Sequence, residues 1–334
     1  RAGTHYGDHM DDSTKHLNLE ADLLVIGWGK AGKTLARDLA SVGKRVVLVE
    51  RDDSMAGGTC INVACVPTKT LVNLAERRGE QAPDEYLPKA IASRDALIDK
   101  LRAANHAMLA SLETVTLVSG EARFIGPHEV RVQAGSETLD ISAEAVVINT
   151  GTSPAMPDIP GINGESVYDS TTIQHIAGGR VPPSLTIIGG GFIGLEFASM
   201  FAAFGSAVRI LERGSTFLPA LDDDVREAVV TTLADRGIEI VTDAPVSAIE
   251  DDGRQVVCGA GTFETDAVLV AVGRKPETAA LDLPAAGIET NERGFIVVDD
   301  QLRTSADGVW AVGDVNGGPQ FTYVSLDDYR IVKD

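Results

Sequence analysis

Two stretches of the chain place apolar runs on either side of a glycine-rich turn and a segment with helical periodicity. The first has an apolar run at Asp22–Ile26, helical periodicity at Thr34–Val42 and a second apolar run at Arg45–Val49. The same order returns later, with strand, helix and strand predicted at Ser184–Ile188, Phe192–Phe204 and Ala207–Leu211. Two strand–helix–strand units in one chain predict a doubly wound α/β architecture.

The remaining segments are shorter or less periodic. Asp84–Leu112 predicts a long helix or a helix pair. Further strands and one helix are predicted at Val115–Phe124, Glu129–Gln133, Val146–Ile148, Val246–Val257 (a hairpin), Ala267–Val272, Val309–Val312 and from Val324 onward. Two stretches, "VPPS" at Val181–Ser184 and "GRKPE" at Gly273–Glu277, predict hinges around an inserted second domain.

Composition narrows the class of protein. The 334 residues suffice for two domains, and contents of 44% hydrophobic and 23% charged residues are ordinary for a soluble globular protein. No apolar run is long enough to span a membrane, and a net charge of −20 argues against nucleic acid or an anionic membrane as partner. With three cysteines and no export signal, the cytoplasm is the expected compartment. Residues 1–19 are expected to be a disordered leader outside the fold.

The turn after the first predicted strand carries the pattern G-x-G-x-x-G, at Gly27, Gly29 and Gly32. The first glycine allows a tight turn, the second lets the backbone approach a pyrophosphate, and the third lets helix and strand pack closely. Glu50 lies at the end of the next strand, where its carboxylate can accept hydrogen bonds from a ribose diol. Strand, turn, helix and acid in this register predict a Rossmann-like dinucleotide site.

The second repeat carries the same signature at Gly189, Gly191 and Gly194, with Glu212 as its acid. A carboxylate at this position pairs with a free 2′-hydroxyl and repels a 2′-phosphate, so we expect NADH to bind here. Arg213 follows directly and leaves NADPH as the alternative.

The segment "GGTCINVACVPTK" (Gly57–Lys69) contains Cys60 and Cys65. A regular helix would separate them by about 7.5 Å along its axis. A disulfide needs Cα atoms within about 7 Å, so a bond requires an irregular turn. Pro67 favours one because it cannot donate to the carbonyl of Val63. A metal site lacks further ligands at recognisable spacing and a structural disulfide is rare in the cytoplasm, so a redox function remains.

This segment resembles the active-site signature of the class I pyridine nucleotide–disulfide oxidoreductases, FAD-dependent enzymes such as dihydrolipoamide dehydrogenase, glutathione reductase and mercuric reductase. Other landmarks follow in the family's order, namely "GEARF", "NTGTSPAMPDIPG", "AVGRKP" and "VWAVGD". The resemblance implies two Rossmann-like domains. An FAD-binding domain would comprise residues 20–155 and 277–334, and an NAD(P)H-binding domain inserted in it would comprise residues 156–276.

The resemblance also implies roles for individual residues. Cys65 would be the thiol beside the flavin and Cys60 the outer thiol that attacks the substrate. Lys69 and Glu196 would pair beside the flavin. No metal site is expected. Further cofactor contacts are implied at Gly58, Thr59, Ala122, Thr150, Gly151, Gly273, Arg274, Gly313 and Asp314.

Two further stretches bear on the electron acceptor. "GWGKAGKTLA" and "FTYVSLDDYRIV" resemble most the bacterial reactive-chlorine-resistance type of flavoprotein, which is associated with the reduction of hypothiocyanite and copper(II). The acceptor is therefore expected to be a small oxidant or a metal ion. Dihydrolipoamide dehydrogenase and mercuric reductase are the alternatives within the family, and a non-catalytic FAD/NAD-binding redox sensor is the alternative outside it.

The sequence departs from the family pattern in two places. Ala64 stands where the family usually has glycine, which adds a methyl group inside the turn between the cysteines. The family's C-terminal interface domain, which carries an acid–base His–Glu pair, has no counterpart in the sequence. We therefore expect the full-length protein to be a homodimer and this chain to be monomeric.

Overall fold

The computed structural model describes residues 16–176 and 179–333. Its strands are β1 His16–Ile26, β2 Val46–Glu50, β3 Val115–Ser119, β4 Glu121–Gly126, β5 Glu129–Ala134, β6 Glu137–Ile148, β7 Thr152–Pro154, β8 Val167–Tyr168, β9 Ser184–Ile188, β10 Ala207–Leu211, β11 Glu239–Val241, β12 Val246–Glu250, β13 Gln255–Cys258, β14 Gly261–Glu264, β15 Ala267–Val270, β16 Arg274–Pro276 and β17 Val309–Ala311. Its α-helices are α1 Lys30–Ser41, α2 Thr59–Asn62, α3 Cys65–Glu76, α4 Pro83–Ala110, α5 Phe192–Phe204, α6 Asp223–Asp235 and α7 Thr322–Lys333. Helices and parallel strands together confirm the predicted α/β fold class.

The first sheet has the strand order β3-β2-β1-β6-β5-β4, and β17 pairs with the C-terminal part of β6. Its five strands β1, β2, β3, β6 and β17 are parallel, whereas β4 and β5 form an antiparallel extension. Helices α1 and α4 pack on one face, and residues 281–296 pack on the other. The central strands are therefore buried on both sides, which is why they read as continuous apolar runs.

The second sheet has the order β11-β10-β9-β15-β8, with all strands parallel. Helices α3, α5 and α6 pack against one face, and the small antiparallel sheet β12-β13-β14 packs against the other. In both large sheets a glycine turn follows the carboxyl end of a central strand, β1 or β9. Ligands of open α/β sheets bind at this edge.

A two-stranded antiparallel ladder connects the sheets. β7 leads the chain out of the first sheet and β16 returns it, with Ser153 opposite Lys275. The predicted hinge at Gly273–Glu277 therefore lies in this connection. The hinge predicted at Val181–Ser184 is wrong, because β8 precedes it and already belongs to the second sheet.

The start of the fold also differs from the prediction. β1 begins at His16 and pairs with β6 from Thr138 onward, so residues 16–19 belong to the first sheet and not to a leader. Leu17 and Leu19 pack against the core of this sheet, which accounts for the longer strand. Residues 1–15 lie outside the described residues.

Three other elements have different bounds or composition. α1 begins at Lys30, four residues before the predicted start, because Gly29 serves as its N-cap. The long segment after the cysteines is a single helix that continues past Pro88. The hairpin predicted at Val246–Val257 is a three-stranded sheet, since a third strand follows at Gly261–Glu264.

Candidate active site

One cleft of about 1960 Å³ joins the two glycine turns and the cysteine segment. It runs along the carboxyl edges of both sheets and past the start of α3. Of the residues predicted from the sequence, its lining includes Gly27, Gly29, Glu50, Gly58, Thr59, Cys60, Cys65, Lys69, Ala122, Thr150, Gly151, Gly189, Gly191, Glu196, Glu212, Gly273, Arg274, Gly313 and Asp314. The structure therefore brings together nearly all of the candidate residues.

Gly32 and Gly194 do not line the cleft; they lie where each helix packs on its strand. A Cβ on Gly32 would clash with Val25, and a Cβ on Gly194 would clash with the carbonyl of Gly189. This placement agrees with the packing role expected for the third glycine of the pattern.

The first glycine turn is held by a residue that the sequence analysis did not single out, Asn149. Its Oδ1 accepts a hydrogen bond from Gly32 N at 2.8 Å, and its Nδ2 donates to Val312 O at 2.8 Å. A Cβ on Gly27 or Gly29 would clash with Asn149, so both positions need glycine. Asn149 directly follows β6 and begins the landmark "NTGTSPAMPDIPG", but neither feature indicates which groups its side chain binds.

Glu50 lies at the end of β2 against this turn. Its carboxylate accepts hydrogen bonds from Trp28 N at 3.0 Å and Asp52 N at 3.3 Å. Burial raises the pKa of this carboxyl, which means that it lacks full solvation. Hydroxyl donors from a bound ribose would restore that solvation.

The corresponding acid of the second turn, Glu212, has a similar arrangement. Oε2 accepts from Gly190 N at 3.1 Å, and Oε1 accepts from Gly214 N at 3.0 Å. These two bonds fix the carboxylate at the end of β10. Arg213 also lines the cleft beside it.

The two cysteines lie on either side of a break between two helices. α2 ends at Asn62, and α3 starts at Cys65. Ala64 between them has φ −125° and ψ −98°, outside the left-handed region that favours glycine. Alanine at this position therefore adds no positive-φ strain to the turn.

All three cysteines are free thiols in this structure, with Cys65 exposed, Cys60 half-buried and Cys258 buried. A hydrogen bond from the Cys60 thiol lowers the pKa of Cys65 to about 6, and the hydroxyl of Thr322 lowers it further. The same pairing, together with burial, raises the pKa of Cys60. In the reduced pair these shifts favour the negative charge on Cys65 and the proton on Cys60.

Thr322 is a second residue that the sequence analysis missed. It is the first residue of α7, and its Oγ1 lies 3.6 Å from Cys65 Sγ. The contact joins residues 257 positions apart, which no local pattern could indicate. It lies in "FTYVSLDDYRIV", a stretch whose resemblance bears on the electron acceptor but assigns no role to Thr322.

Lys69 and Glu196 form the predicted ion pair, joining α3 to α5 beside the cysteines. The side chains are 61% and 35% exposed, so the pair borders the cleft and is open to solvent. Deeper in the cleft, Arg274 donates to Thr152 Oγ1 at 2.8 Å, and Thr152 donates to Asp314 at 3.1 Å. Burial raises the pKa of the Asp314 carboxyl.

The described histidines make contacts away from the cysteines. His16 contacts Asp140, His106 stacks on Trp28, His128 contacts Ala143 O, and His175 contacts Arg94. Within residues 16–176 and 179–333, no histidine lines the cleft that contains the two thiols. His5 and His9 lie outside this range.

A second cavity of about 450 Å³, here called the cationic pocket, adjoins the cleft. Its lining residues are Lys30, Lys33, Thr34, Arg37, Ile61, Asn105, Met108, Leu326, Tyr329 and Arg330. Lys30 and Lys33 also line the main cleft, and Ile61 directly follows Cys60. The pocket therefore lies next to the redox turn.

Lys33 is 6% exposed and has no carboxylate partner in the part of the chain that the structure describes. Its ammonium donates to Gly57 O at 2.9 Å and to Asn105 Oδ1 at 2.7 Å. Burial, with the nearby charge of Lys30, lowers the pKa of Lys33 to about 8. Two ammonium groups that repel each other make this pocket attractive to an anion.

The described residues offer neither a metal site nor a membrane-spanning helix. No group of three or more His, Cys, Asp or Glu side chains among them could hold a metal ion. None of the helices in that part of the chain is long and apolar enough to cross a membrane.

Comparison with known proteins places the chain among flavoenzymes. Residues 21–328 match the pyridine nucleotide-disulphide oxidoreductase family. The chain is 46% identical to the pyridine nucleotide-disulfide oxidoreductase RclA of Escherichia coli over 314 residues, covering 93% of this chain and 69% of that protein. It is 34% identical to the mercuric reductase of Lysinibacillus sphaericus, covering 94% of this chain and 59% of the reductase.

A solved structure agrees with these sequence matches. The HOCl-induced flavoprotein disulfide reductase RclA from Escherichia coli superimposes with a TM-score of 0.87 at 46% identity, covering 94% of this chain and 70% of that one. Fold, motif order and sequence identity all lead to one assignment. The chain belongs to the pyridine nucleotide-disulphide oxidoreductase family, as an FAD-dependent enzyme that uses a pyridine nucleotide.

Proposed function

We propose that this chain uses NADH and FAD to reduce a Cys60–Cys65 disulfide and passes the electrons to a small oxidant. The observation that carries the proposal is the single cleft, which contains both dinucleotide turns and both thiols. Electron transfer along this route needs the nicotinamide, the flavin and the disulfide side by side. A cleft that joins all three sites meets that requirement.

The residues around the first turn fit FAD. Gly27 and Gly29 line the cleft and pack against Asn149, so their backbone is open to a dinucleotide. The desolvated carboxylate of Glu50 can accept hydrogen bonds from ribose hydroxyls. Asp314 uses one oxygen for Thr152 and keeps acceptor capacity toward the cleft. The contacts implied for residues 58, 59, 122, 150, 151 and 313 are part of the same proposal.

The second turn, with residues 273 and 274, would hold the nicotinamide nucleotide. Both oxygens of Glu212 already bind backbone N–H groups, so its negative charge is fixed beside the ribose position. A 2′-phosphate would meet this charge, which favours NADH over NADPH.

The protein's share of the redox step is to hold the two sulfurs and their proton. Bound FAD would accept the hydride and pass on its electrons, which no side chain can do. Reduction adds two electrons and one proton to the disulfide, because Cys65 remains a thiolate at neutral pH while Cys60 takes the proton. Lys69 and Glu196 would act as positioning residues beside this site.

Electron transfer to the acceptor then oxidises the two thiols back to the Cys60–Cys65 disulfide. With hypothiocyanite, Cys60 gives up its proton and its sulfur attacks the acceptor sulfur. A new S–S bond forms, the S–O bond breaks, hydroxide leaves, and Cys60 becomes a sulfenyl thiocyanate (S–SCN). Cys65 thiolate attacks the Cys60 sulfur, forms the disulfide and releases thiocyanate. The sum is thiol, thiolate and hypothiocyanite giving disulfide, thiocyanate and hydroxide, in which atoms and charge balance.

The cationic pocket supports an anionic acceptor over a metal cation. Arg37 is paired with Asp38 and Arg330 with Asp327, whereas Lys30 and Lys33 have no carboxylate partner within the described residues. Such a site attracts anions and repels divalent cations. Hypothiocyanite, or a reactive chlorine species of negative charge, therefore fits this chain best.

Copper(II) is the second acceptor to test, because solved structures of Escherichia coli RclA include a Cu(II) complex. Two adjacent thiols, one of them a thiolate, provide soft ligands for copper. Mercuric reductases and dihydrolipoyl dehydrogenases are relatives at 32–35% identity, so mercury(II) and lipoamide belong in the same acceptor panel.

Anaerobic titration with NADH tests the proposal. We expect flavin bleaching followed by a long-wavelength thiolate–flavin absorbance. Cys65→Ser should remove this absorbance and Cys60→Ser should keep it, whereas the buried Cys258→Ser is the matched control and should behave as wild type. Wild-type protein that loses its flavin colour without developing the absorbance would contradict the proposed route.

The acceptor charge is tested with two artificial disulfides, the dianion 5,5′-dithiobis(2-nitrobenzoate) and the neutral 4,4′-dithiodipyridine. Lys30→Gln should lower kcat/KM about fivefold for the anion and leave the neutral disulfide unchanged. Arg293→Gln, an exposed cation stacked on Phe295, is the control. If Lys30→Gln has the same kcat/KM as wild type for the anionic disulfide, the pocket does not select its acceptor by charge.

The cellular setting completes the proposal. An acidic chain with three cysteines and an intact thiol pair suits a reducing cytoplasm, without nucleic acid or membrane as partner. We infer a homodimer for the full-length protein from the family resemblance. Sedimentation of that protein at several concentrations would test this.

A further inference from the structure

The break in the redox turn leaves one backbone carbonyl without its helical donor. In a continuous helix, the N–H of residue 67 would donate to the carbonyl of Val63, but Pro67 has no N–H. The next carbonyl, on Ala64, is already satisfied by Thr68 N at 3.0 Å. A carbonyl that is shielded from water and lacks a donor costs about 1–3 kcal/mol. The carbonyl of Val63 is partly buried, so a donor from elsewhere in the chain would stabilise it.

Gln174 supplies that donor from the second half of the chain. Its Nε2 lies 2.9 Å from Val63 O and 2.8 Å from Ser170 O, so both amide hydrogens are used. Gln174 is 4% exposed and lies on the 3₁₀ turn Thr172–His175. The bond to Val63 therefore reaches the redox turn across 111 residues of sequence.

The turn that carries Gln174 is itself held firmly. Arg94, a fully buried residue of α4, donates from its guanidinium to Gln174 O at 2.7 Å. The carboxylate of Asp169 accepts from Thr171 N at 2.7 Å and Thr172 N at 2.8 Å. Gln174 is thus fixed through its own backbone as well as through its side chain.

The side-chain amide of Gln174 also has an acceptor that is not hydrogen-bonded. Its Oε1 is buried and has no hydrogen-bond partner among residues 16–176 and 179–333. Rotating the amide by 180° would not help, because Oε1 would then face the carbonyls of Val63 and Ser170. A packed apolar side chain would avoid this cost, so the two donated bonds are what the glutamine provides.

We propose that Gln174 is a positioning residue of the redox pair, holding the Val63–Ala64 break so that the Cys60 thiol stays bonded to the Cys65 thiolate. The proposal rests on the proposed function, since it concerns the same two thiols. Without the Val63 bond the turn would relax toward other geometries and weaken the contact between the sulfurs. The thiolate would then lose its main source of stabilisation.

Two variants separate the lost donors from an added charge. Gln174→Met keeps the length and approximate volume of the side chain and removes both donors. Gln174→Glu also removes them and adds a negative charge. The matched control is Gln133→Met, because Gln133 Nε2 also donates to two backbone carbonyls, Gly135 O and Glu137 O, in an exposed hairpin.

The first readout is the pH midpoint of the long-wavelength thiolate–flavin absorbance in the reduced, FAD-loaded protein. We expect a midpoint near 6 for wild type and Gln133→Met. Both Gln174 variants should shift it upward by about one pH unit or more, toward an ordinary cysteine. Unshifted midpoints in both would overturn the inference, and so would a shift confined to Gln174→Glu, since charge would then be the cause.

The second readout uses protein stripped of FAD and equilibrated in dithiothreitol redox buffers, with the dithiol fraction counted by mass after alkylation. A thiol of higher pKa makes its disulfide harder to reduce. The equilibrium should therefore move about tenfold toward the disulfide for each unit by which the pKa of Cys65 rises. If wild type shows no flavin–thiolate absorbance, the proposed function fails, while this equilibrium still decides whether Gln174 controls the pair.

Discussion

Replacing Asn149 by alanine is the most direct test of how the first glycine turn is held. The side chain is 5% exposed and satisfies two buried backbone groups at once, Gly32 N–H and Val312 C=O, each at 2.8 Å. Alanine can satisfy neither. Each orphaned group costs about 1–3 kcal/mol, so we expect a loss of about 2–6 kcal/mol in the free energy of unfolding.

Urea unfolding of the FAD-free protein, followed by circular dichroism, measures this loss. The control is Asn291→Ala, because Asn291 Oδ1 also accepts two backbone bonds, from Arg293 N and Phe295 N, but lies exposed. Water replaces the lost acceptor there, and we expect a change below about 1 kcal/mol. If Asn149→Ala proves as stable as this control, the turn does not depend on the two bonds.

Three further predictions concern the thiols and the nucleotide. Thr322→Val removes a hydroxyl that lowers the pKa of Cys65, so the pH midpoint of the thiolate–flavin absorbance should rise; an unchanged midpoint would show that the contact has no electrostatic role. Glu212→Ala removes the fixed carboxylate at the ribose position, and the ratio of kcat/KM for NADPH to that for NADH should rise about tenfold or more, which steady-state kinetics with both nucleotides will measure. A wild-type ratio already favouring NADPH would refute that assignment. Lys69→Ala breaks the ion pair with Glu196, and stopped-flow mixing with NADH should show slower flavin reduction; equal rates would leave the pair without a function in that step.

Features encoded locally were predictable from the sequence. Apolar runs, glycine turns and strand-end acids are short-range patterns, and both strand–helix–strand units appear where these patterns placed them. The cysteine turn was also predictable, because Pro67 must interrupt the bonding of a helix. The ion pair of Lys69 with Glu196 followed from the family resemblance and not from any local pattern.

The residues that were missed act through long-range contacts. Asn149, Thr322 and Gln174 each satisfy a group more than 100 positions away along the chain. A lone polar residue carries no periodicity, so nothing in the sequence indicates its partner. The start of β1 was missed for a different reason, since Leu17 and Leu19 do alternate with polar residues but were grouped with the leader.

The ladder formed by β7 and β16 has a consequence for how the chain assembles. β7 leaves the first sheet and β16 returns to it, and the two strands pair with each other. For the first sheet, the residues between them therefore act as the loop of a hairpin. Once β7 and β16 are paired, the loop that must close to bring β17 to β6 no longer includes the residues between these two strands. The entropy lost in pairing β17 with β6 is then set by this shorter loop and not by the full length of the polypeptide. An early-folding second sheet would accelerate completion of the first, and stepwise pulling on the two ends of the ladder would reveal that order.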